Sequence, residues 1–524
     1  MMAPGLTRTA LITGGTDGLG RALACAYLRA GWRVVVLGRL DRRSTEDAAA
    51  IFLQVDLLNR SGLEMVEPAL ADAGVDAIHC LIHNAATGWV GDVGAQRPES
   101  IDTIVAVNVW APIALTRLLV PLVERVNGRI VFIGSIAAFA PAPSYAVYAA
   151  TKAAVDGFAR SFAHEMGGRV AVQVIHPGPI RTAFHVRAGA AGIDARRFPS
   201  PERVALRVLR ATGRRAWRSY PDLATAIVAR VSNLARRLVD RIVDRRAVRT
   251  PDLLHVAIPD VAPSATRVAL VTGSGSGLGA AIAGKLLAAG YRVLGVDVVA
   301  TDPLGNIDRF RPIEASIASN EGIDRIAAVA AEEEKIDLLV HCAGISDVGP
   351  FETRSLDRLD QVVKTNLTGP MQLTARMLGD GRLSVDASMV FVSSLSHFVG
   401  YPGAAVYAAS KDGLAHYARC VGVALRSRGR YCLTVFPGPM RTPHAERYAP
   451  AGADGRHRMD PQDVARKILD AIARRSARLV VGRSARLAMV LGLIAPGFAT
   501  TIMRRTLFER LRGVAPAPGK SAHN

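Results

Sequence analysis

The stretch TALITGGTDGLG, Thr9–Gly20, decides the fold of this chain. A short apolar run with β-branched residues leads into a glycine-rich loop, and an alanine- and leucine-rich segment with helical composition follows. Glycines permit a tight turn and a close approach of the backbone to a pyrophosphate, which binds at the N-terminus of the following helix. A glycine loop alone is a weak indication, because turns also need glycine. Its place between a strand and a helix makes dinucleotide binding the favoured interpretation.

The same pattern occurs a second time, as VALVTGSGSGLG at Val268–Gly279. Motif positions in the two parts of the chain are separated by a nearly constant 258 to 260 residues. A constant offset over several motifs indicates a duplicated domain, and at this period each copy is a whole domain. The equivalent positions include Gly14 and Gly273, Asn108 and Asn366, Tyr148 and Tyr407, and Pro177 and Pro437.

Length and composition agree with two globular domains. The chain has 524 residues, of which 50% are hydrophobic and 21% charged, and this length exceeds a typical single domain. Apolar runs alternate with longer helical stretches in each copy, which predicts an α/β fold of two tandem Rossmann-type, doubly wound parallel sheets flanked by helices. Prolines interrupt the helical periodicity within Arg249–Arg267. We therefore predict a first domain over residues 1–250, a linker over 251–265 and a second domain over 266–524.

Charge and cysteine usage exclude several classes of protein. The five cysteines form no CxxC pair, so neither a disulfide framework nor a metal site is expected. The amino-terminal residues lead directly into the first strand and leave no room for a signal peptide, which favours the cytoplasm. The net charge of +20 favours acidic partners, but the basic residues are spread along the chain and no nucleic-acid-binding motif is present. A phosphorylated cofactor, an acidic carrier protein or a membrane surface fits the charge better than nucleic acid. For much of the arginine, an ordinary solvated surface is the favoured interpretation.

The end of the second strand distinguishes the cofactors of the two copies. Gly38 followed by Arg39 leaves room for the 2′-phosphate of NADP and supplies a cation. Asp297, at the equivalent place, accepts hydrogen bonds from ribose hydroxyls and repels that phosphate. We therefore expect NADP(H) in the first domain and NAD(H) in the second; an ordinary exposed arginine is the alternative for Arg39. Asp56 and Glu314, which end the third strands, are candidates to hold the adenine amino group.

A tyrosine and a lysine four residues apart point to proton transfer. Tyr148 and Lys152 share one face of a predicted helix. Tyrosine, with an ordinary pKa of about 10, is a poor acid or base at neutral pH, and a neighbouring ammonium is expected to lower that pKa. Ser135 lies thirteen residues before the tyrosine, at the end of a strand, where its hydroxyl can orient a carbonyl or an alcohol. The second copy repeats the separations with Tyr407, Lys411 and Ser394.

With these motifs, each half resembles the short-chain dehydrogenase/reductase family over most of its length. The TGxxxGxG cofactor pattern and the YxxxK pattern of the family occur in both halves, with the serine at the expected distance. The resemblance implies hydride transfer between nicotinamide and a carbonyl carbon, with tyrosine handling the proton, lysine binding the ribose and serine holding the oxygen. It also implies an asparagine that supports a water relay to the lysine. The implied catalytic residues are Asn108, Ser135, Tyr148 and Lys152, and Asn366, Ser394, Tyr407 and Lys411. The implied cofactor-binding residues are Thr13, Gly14, Gly18, Gly20, Asn84 and Thr182, and Thr272, Gly273, Gly277, Gly279 and Thr442.

The two halves depart from the family at one stretch. Where the family has NNAG, the halves read HNAA at His83–Ala86 and HCAG at His341–Gly344. The first half keeps the asparagine as Asn84, and the second has Cys342 in its place. In the family this asparagine is thought to brace the central sheet, so Cys342 affects rigidity more than chemistry, and we interpret it as a packing residue rather than a nucleophile. Neither half has lost a tetrad residue, which favours two working sites.

Each half ends in a basic, amphipathic extension, and the second contains LAMVLGLIAPGFATTIM at Leu487–Met503. A packed helix is favoured over a segment on the membrane surface, because amphipathic stripes more often face a core. In the family, the region after a Pro-Gly segment covers the substrate, and here these segments are PGPIRT at Pro177–Thr182 and PGPMRT at Pro437–Thr442. The regions that follow them differ between the halves, so the two sites are expected to prefer different substrates or different stages of one substrate.

The leading hypothesis is a didomain enzyme that interconverts a secondary alcohol and a ketone on a lipophilic or carrier-bound acyl substrate. The alternatives are one catalytic half with a structural partner half, and a nicotinamide sensor without catalysis. Family members pair through the helix that bears YxxxK, so a pseudo-dimer within the chain is expected. Further homo-oligomers and peripheral contact with a membrane from the cytoplasm remain open.

Overall fold

The computed structural model describes residues 8–40, 47–190, 194–214, 216–235, 238–240, 242–243, 266–299, 308–448 and 458–509. The predicted linker, 251–265, lies outside these residues, and the proposed domain boundaries stay predictions. Within the described residues the chain forms two seven-stranded parallel sheets, one in each half.

The first sheet has the strand order β3-β2-β1-β4-β5-β6-β7. The chain returns from β3 past β1 to add β4 on the other side, so the direction of winding reverses between β1 and β4. A crevice opens at the carboxyl ends of the strands at such a switch point, and ligands bind there. The strands are β1 Thr9–Thr13, β2 Arg33–Gly38, β3 Ile51–Gln54, β4 Cys80–His83, β5 Arg129–Ile133, β6 Ala171–Ile175 and β7 Arg218–Ser219.

The second sheet repeats this order as β10-β9-β8-β11-β12-β13-β14. Both sheets are parallel throughout, which confirms the predicted fold class. The edge strands β7 and β14 are too short to show in the sequence pattern. The strands are β8 Val268–Thr272, β9 Arg292–Asp297, β10 Phe310–Glu314, β11 Ile336–His341, β12 Leu383–Val392, β13 Tyr431–Pro437 and β14 Arg478–Val481.

Helices cover both faces of each sheet. Alternate residues of β1 enter different apolar clusters: Leu11 packs in one, and Ala10 and Ile12 in another. Both faces are therefore buried, as expected of a parallel sheet. The helices of the first half are α1 Gly18–Arg29, α2 Arg60–Glu64, α3 Val66–Asp72, α4 Pro98–Val105, α5 Ala111–Glu124, α6 Ala146–Met166, α7 Phe184–Arg187, α8 Pro201–Thr212 and α9 Leu223–Leu234.

The second half carries an equivalent set of helices. Its helices are α10 Gly277–Ala288, α11 Asn320–Ala331, α12 Leu356–Val363, α13 Gly369–Gly379, α14 Ser396–Val399, α15 Ala405–Arg426, α16 Pro443–Arg447, α17 Pro461–Ala473, α18 Arg483–Ile494 and α19 Pro496–Met503. Single π-helical turns lie at Ala106–Trp110 and Lys364–Thr368, between two helices in each half.

The two halves pack against each other through α6 and α15, the helices that bear the YxxxK motifs. Their backbones approach closely at two glycines. A Cβ on Gly157 would lie 2.2 Å from the carboxylate of Asp412, and one on Gly413 would lie 3.0 Å from the Cβ of Ala154. One continuous apolar cluster joins residues of both halves.

The C-terminal extension of the second half packs on one face and is exposed on the other. Gly492 of α18 lies against the second half, because a Cβ there would be 2.2 Å from the carbonyl oxygen of Phe398. Leu487, Ile494 and Phe498 are 70%, 79% and 61% exposed. Among the described residues, the helical run Pro98–Glu124 has the length and composition to cross a membrane, but 72% of its most apolar window is buried inside the protein, as in a core helix.

Candidate active sites

The two glycine loops lie at the switch points of the two sheets. Gly14 and Gly18 have φ angles of +62° and +51°, in the left-handed region that favours glycine. A Cβ on Gly20 would lie 2.0 Å from the carbonyl oxygen of Gly14, and one on Gly279 would lie 1.9 Å from that of Gly273. Each loop therefore folds tightly onto the start of its helix, and a side chain at these positions would fill the cradle. Gly277 repeats the left-handed conformation, with a φ of +55°.

Threonines join each loop to the rest of its site. Thr13 Oγ1 accepts hydrogen bonds from the backbone N–H groups of Asn84 (3.0 Å) and Ala85 (3.1 Å). Thr272 makes the equivalent bonds to Cys342 (3.1 Å) and Ala343. The end of the first strand in each half is thus fixed to the end of the fourth. Thr182 and Thr442 pack beside the loops, since a Cβ on Gly18 or Gly277 would lie 3.3 Å from them.

Asn84 braces the first loop, and the second half has no equivalent. Its amide Nδ2 donates to the backbone carbonyls of Thr13 (3.0 Å) and Gly14 (3.3 Å). Cys342 has no amide, and among the described residues the hydrogen bonds around it come from its backbone. The first loop therefore has two side-chain hydrogen bonds that Cys342 does not supply in the second half, and the effect on rigidity stays a prediction.

The four predicted catalytic residues of the first half gather at one end of β5. Asn108, in the π-helical turn, accepts from Thr87 N (2.8 Å) and donates to Thr87 O (2.9 Å) and Thr151 Oγ1 (3.0 Å). Lys152, next to Thr151 on α6, donates through Nζ to the carbonyl of Ile133 (2.9 Å). Ser135 follows β5, and its hydroxyl acts on Tyr148 by lowering the pKa of the phenol.

The second half repeats these bonds. Asn366 accepts from Ile345 N (2.9 Å) and donates to Ile345 O (2.8 Å) and Ser410 Oγ (3.0 Å). Lys411 Nζ donates to the carbonyl of Val392 (3.0 Å), and Ser394 lowers the pKa of Tyr407. The hydrogen bonds of the asparagine and of the lysine therefore match between the two predicted tetrads.

The pKa values of the tyrosines differ from the sequence-based expectation. Burial raises the pKa of Tyr148 to about 12, although the hydroxyl of Ser135 opposes the shift. Burial lowers the pKa of Lys152, and separately that of Lys411, to about 8. The ammonium of Lys152 bonds a backbone carbonyl and lies 5.7 Å from the centre of the Tyr148 ring. In this arrangement burial, and not the lysine, sets the direction in which the pKa of the phenol moves.

A cavity of about 520 Å³ runs through the first site. It joins the glycine loop to the catalytic end of β5, so it holds both ends of an elongated ligand. Arg39 and Asp56 line it near the loop, and apolar and aromatic side chains line it near the tyrosine. Its walls include Gly14, Gly18, Gly20, Arg39, Asp56, Asn84, Ser135, Tyr148, Lys152 and Thr182.

The second strands end differently in the two halves, as the sequence indicates. The carboxylate of Asp297 accepts hydrogen bonds from Gly275 N (2.9 Å), in the glycine loop, and from Val298 N (2.8 Å). At Gly38 a Cβ would lie 3.1 Å from the side chain of Thr16, so no acid occupies this place in the first half. Glu314 pairs with Asp297 across β9 and β10, and its side chain is exposed.

Aromatic residues that the sequence analysis did not identify cover both tyrosines. The rings of Tyr145 and Phe184 lie 6.1 and 5.1 Å from that of Tyr148. In the second half, Tyr401 and His444 lie 6.2 and 6.3 Å from Tyr407. Phe184 and His444 come from the segments predicted to cover the substrate. Tyr145 and Tyr401 come from the segments just before the YxxxK helices. Their closeness to that motif in the sequence is the signal that could have identified them.

Glycine loops at the switch points of doubly wound sheets, each facing a Tyr-Lys pair, define an oxidoreductase that uses a nicotinamide dinucleotide. The model of the short chain dehydrogenase family matches residues 8–191 and 267–451. The chain belongs to this family and contains two copies of its domain.

Relatives and solved structures support the same conclusion. A short chain dehydrogenase from Pseudocercospora fijiensis is 30% identical over 188 residues, which are 33% of this chain and 60% of that protein. The 2-(R)-hydroxypropyl-CoM dehydrogenase of Xanthobacter autotrophicus is 32% identical over 192 residues, 34% of this chain and 76% of that protein. The N-domain of a bacterial malonyl-CoA reductase, solved with NADP, is 16% identical with a TM-score of 0.63 over 90% of this chain and 97% of that chain. This last likeness extends over both halves and shows a shared fold.

Proposed function

We propose that this chain is a didomain NAD(P)-dependent oxidoreductase that interconverts a secondary alcohol and a ketone, with a working site in each half. The observation that carries the proposal is the matching set of hydrogen bonds around Asn108 and Lys152 and around Asn366 and Lys411. A half that served only as a structural partner would need no lysine here, since removing an ammonium from water is costly even where it donates a hydrogen bond to a carbonyl.

The residues present fit a dinucleotide in both halves. The cradle that a Cβ on Gly20 or Gly279 would fill lies at a helix N-terminus, where phosphate groups bind. We assign NADP(H) to the first half, where Arg39 lines the cavity, and NAD(H) to the second, where Asp297 stands at the same place. Asp56, Asn84 and Thr182, with Glu314 and Thr442 in the second half, complete the proposed cofactor contacts. When bound, the nicotinamide ring supplies or accepts the hydride.

The protein's own groups handle the oxygen and its proton. The hydroxyl of Ser135 or Ser394 holds the substrate oxygen, and the phenol of Tyr148 or Tyr407 donates a proton to it during reduction or accepts one during oxidation. Burial raises the pKa of both phenols, so each tyrosine is mostly protonated at neutral pH and can donate its proton. Asn108 and Asn366 fix the helix next to each lysine through Thr151 and Ser410.

We assign a lipophilic or carrier-bound substrate. Ile136, Ala142 and Phe184 line the substrate end of the first cavity. The apolar part of a substrate can therefore enter it at little cost in free energy. The relative from Xanthobacter is a 2-(R)-hydroxypropyl-CoM dehydrogenase, and a 2-hydroxypropyl group is a secondary alcohol. Different side chains over Tyr148 and Tyr407 support different substrates, or different stages of one substrate, in the two halves.

Calorimetry with each cofactor tests the proposal without a substrate. We expect one NADPH and one NADH to bind per chain, with Arg39→Asp abolishing only the first and Asp297→Arg only the second. A single equivalent of cofactor in total would support the alternative, one catalytic half with a silent partner. Tyr148→Phe and Tyr407→Phe, assayed on a panel of apolar alcohols and ketones, then show whether each site turns over alone; loss of all turnover in either single variant also supports the one-site alternative.

We also propose that the C-terminal extensions contact an anionic membrane surface from the cytoplasm. Of the 20 large apolar side chains exposed in the described residues, 12 lie in the segments 222–243 and 483–509. Arg483, Arg486 and Arg505 are exposed in the second of these segments. Such cations attract acidic lipid headgroups.

Sedimentation with vesicles tests the membrane contact. We expect binding to vesicles that contain phosphatidylglycerol and no binding to phosphatidylcholine alone. Leu487→Glu with Ile494→Glu should abolish it, whereas Leu206→Glu, an exposed leucine elsewhere, should not. If the double variant instead dissociates an oligomer and vesicles never bind, the exposed apolar side chains of 483–509 form an interface between copies of the chain.

A further inference from the structure

A buried arginine of the first half reaches into the second. Arg160 lies on α6 and is 8% exposed. Its Nη2 donates to the backbone carbonyls of Ser396 (2.9 Å) and His397 (3.1 Å), and to the carboxylate of Asp412 (2.8 Å). All three acceptors belong to the second half, so this guanidinium is satisfied mainly by groups outside its own domain.

These acceptors are close in the chain to two catalytic residues of the second site. Ser396 is two residues after Ser394, and its backbone N–H donates to the Ser394 hydroxyl (3.3 Å). Asp412 follows Lys411 directly on α15. Arg160 therefore links the loop that carries the catalytic serine to the helix that carries the catalytic lysine.

The second half makes the reverse contact. Arg419, on α15, is 259 residues after Arg160 and is also 8% exposed. Its Nη1 donates to the carbonyl of Phe139 (2.6 Å), four residues after Ser135 in the first site. Its Nε donates to Asp240 (2.8 Å), in the extension of the first half. The two arginines thus occupy equivalent places and act in opposite directions.

A second pair of contacts follows the same reciprocal pattern. Ser161 Oγ accepts from the backbone N–H of Tyr401 (3.0 Å), and Cys420 Sγ accepts from that of Ala142 (3.4 Å). Both pairs are related by the offset of 259 residues. Within the described residues, the second loop has a further bond of this kind, from Gly403 N to the Glu165 carboxylate (3.0 Å). In each half, the segment between the catalytic serine and tyrosine is hydrogen-bonded to the helix of the other half.

We propose that Arg160 and Arg419 are positioning residues that act across the interface, Arg160 on the second site and Arg419 on the first. Catalytic groups must be held within a fraction of an ångström, and a misplacement of about 1 Å costs about a hundredfold in rate. Each site is therefore complete only when the opposite half is folded against it, which gives a physical reason for joining both halves in one chain. The effect on turnover rests on the proposed function; the effect on the loops does not.

Hydrogen exchange of the full-length chain tests the geometry directly. Arg160→Met should raise exchange in residues 395–403 at least about tenfold and leave 136–142 unchanged, and Arg419→Met should do the reverse. Lysine at either position should restore part of the protection, because one ammonium replaces only some of the donors. Should a methionine variant fail to fold, Ser161→Ala and Cys420→Ala give the same crossed comparison. Exchange that rises equally in both loops, or in neither, overturns the proposal.

Measurements of turnover provide a second test of the proposal. In a Tyr148→Phe background, which leaves only the second site, Arg160→Met should lower kcat about ten- to a hundredfold with the affinity for NADH unchanged. In a Tyr407→Phe background, which leaves only the first site, the same change should have little effect, and Arg419→Met should show the opposite pattern. A fall in the site of the arginine's own half contradicts the proposal. If each arginine variant changes hydrogen exchange in the opposite half but the protein has no turnover at all, the proposed function is wrong and the positioning role is still supported.

Discussion

Exchanging Asn84 and Cys342 between the halves should transfer stability from one glycine loop to the other. Asn84 holds the first loop with two N–H···O bonds of 3.0 and 3.3 Å. A typical intramolecular hydrogen bond contributes about 1 kcal/mol net, and the longer one less. Asn84→Cys should therefore lower the free energy of unfolding of the first half by about 1 to 2 kcal/mol. Cys342→Asn should raise that of the second half by a similar or smaller amount, because the new amide also loses side-chain entropy.

Calorimetric melting and hydrogen exchange measure this transfer. For a half of this size, a change of about 1 to 2 kcal/mol shifts the melting temperature by about 2 to 8 °C. The exchange should localise the effect, with faster exchange over Thr13–Gly20 in Asn84→Cys and slower exchange over Thr272–Gly279 in Cys342→Asn. If Asn84→Cys leaves both the melting temperature and loop exchange unchanged, the two bonds contribute nothing and the reasoning from their geometry is wrong.

Three further predictions follow from single residues. Gly20→Ala should weaken cofactor binding in the first half about a hundredfold, because its Cβ would meet a carbonyl at 2.0 Å; calorimetry measures this, with Gly497→Ala, in open space, as the control that should bind normally. Burial raises the pKa of Glu165 from an ordinary 4.5 to about 7, so the folded protein should lose about 3 kcal/mol of stability as the pH rises through this window; the melting temperature of Glu165→Gln should fall less over that range, and an equal fall would contradict the assignment. Burial raises the pKa of the Cys342 thiol to about 12, so peptide mass spectrometry should find its alkylation by iodoacetamide at least about a hundredfold slower than that of free cysteine, and rapid labelling would make it a reactive thiol.

The aromatic covers of the two sites show where reading the sequence stops short. Phe184 and His444 lie in segments that the sequence marks as variable, but nothing in the chain order states that they meet Tyr148 and Tyr407. The strands β7 and β14 escape a periodicity analysis because two to four residues carry too little pattern. The sequence predicts a lowered pKa for Tyr148, whereas burial raises it. The nearby lysine is visible in the YxxxK motif, but burial depends on the whole fold.

The sequence by itself determined the features that are local. Strand, glycine loop and helix follow one another within a dozen residues, Tyr148 and Lys152 share a helical face, and the constant offset reveals the duplication. Such patterns are written in backbone geometry over short distances, so they survive without tertiary context. Only the tertiary structure decided how the halves depend on each other. Arg160 and the carbonyl of Ser396 are 236 residues apart in the chain, and nothing in either local sequence fixes that contact; it arises because α6 and α15 pack across one core and bury an arginine that must find its acceptors in the opposite half.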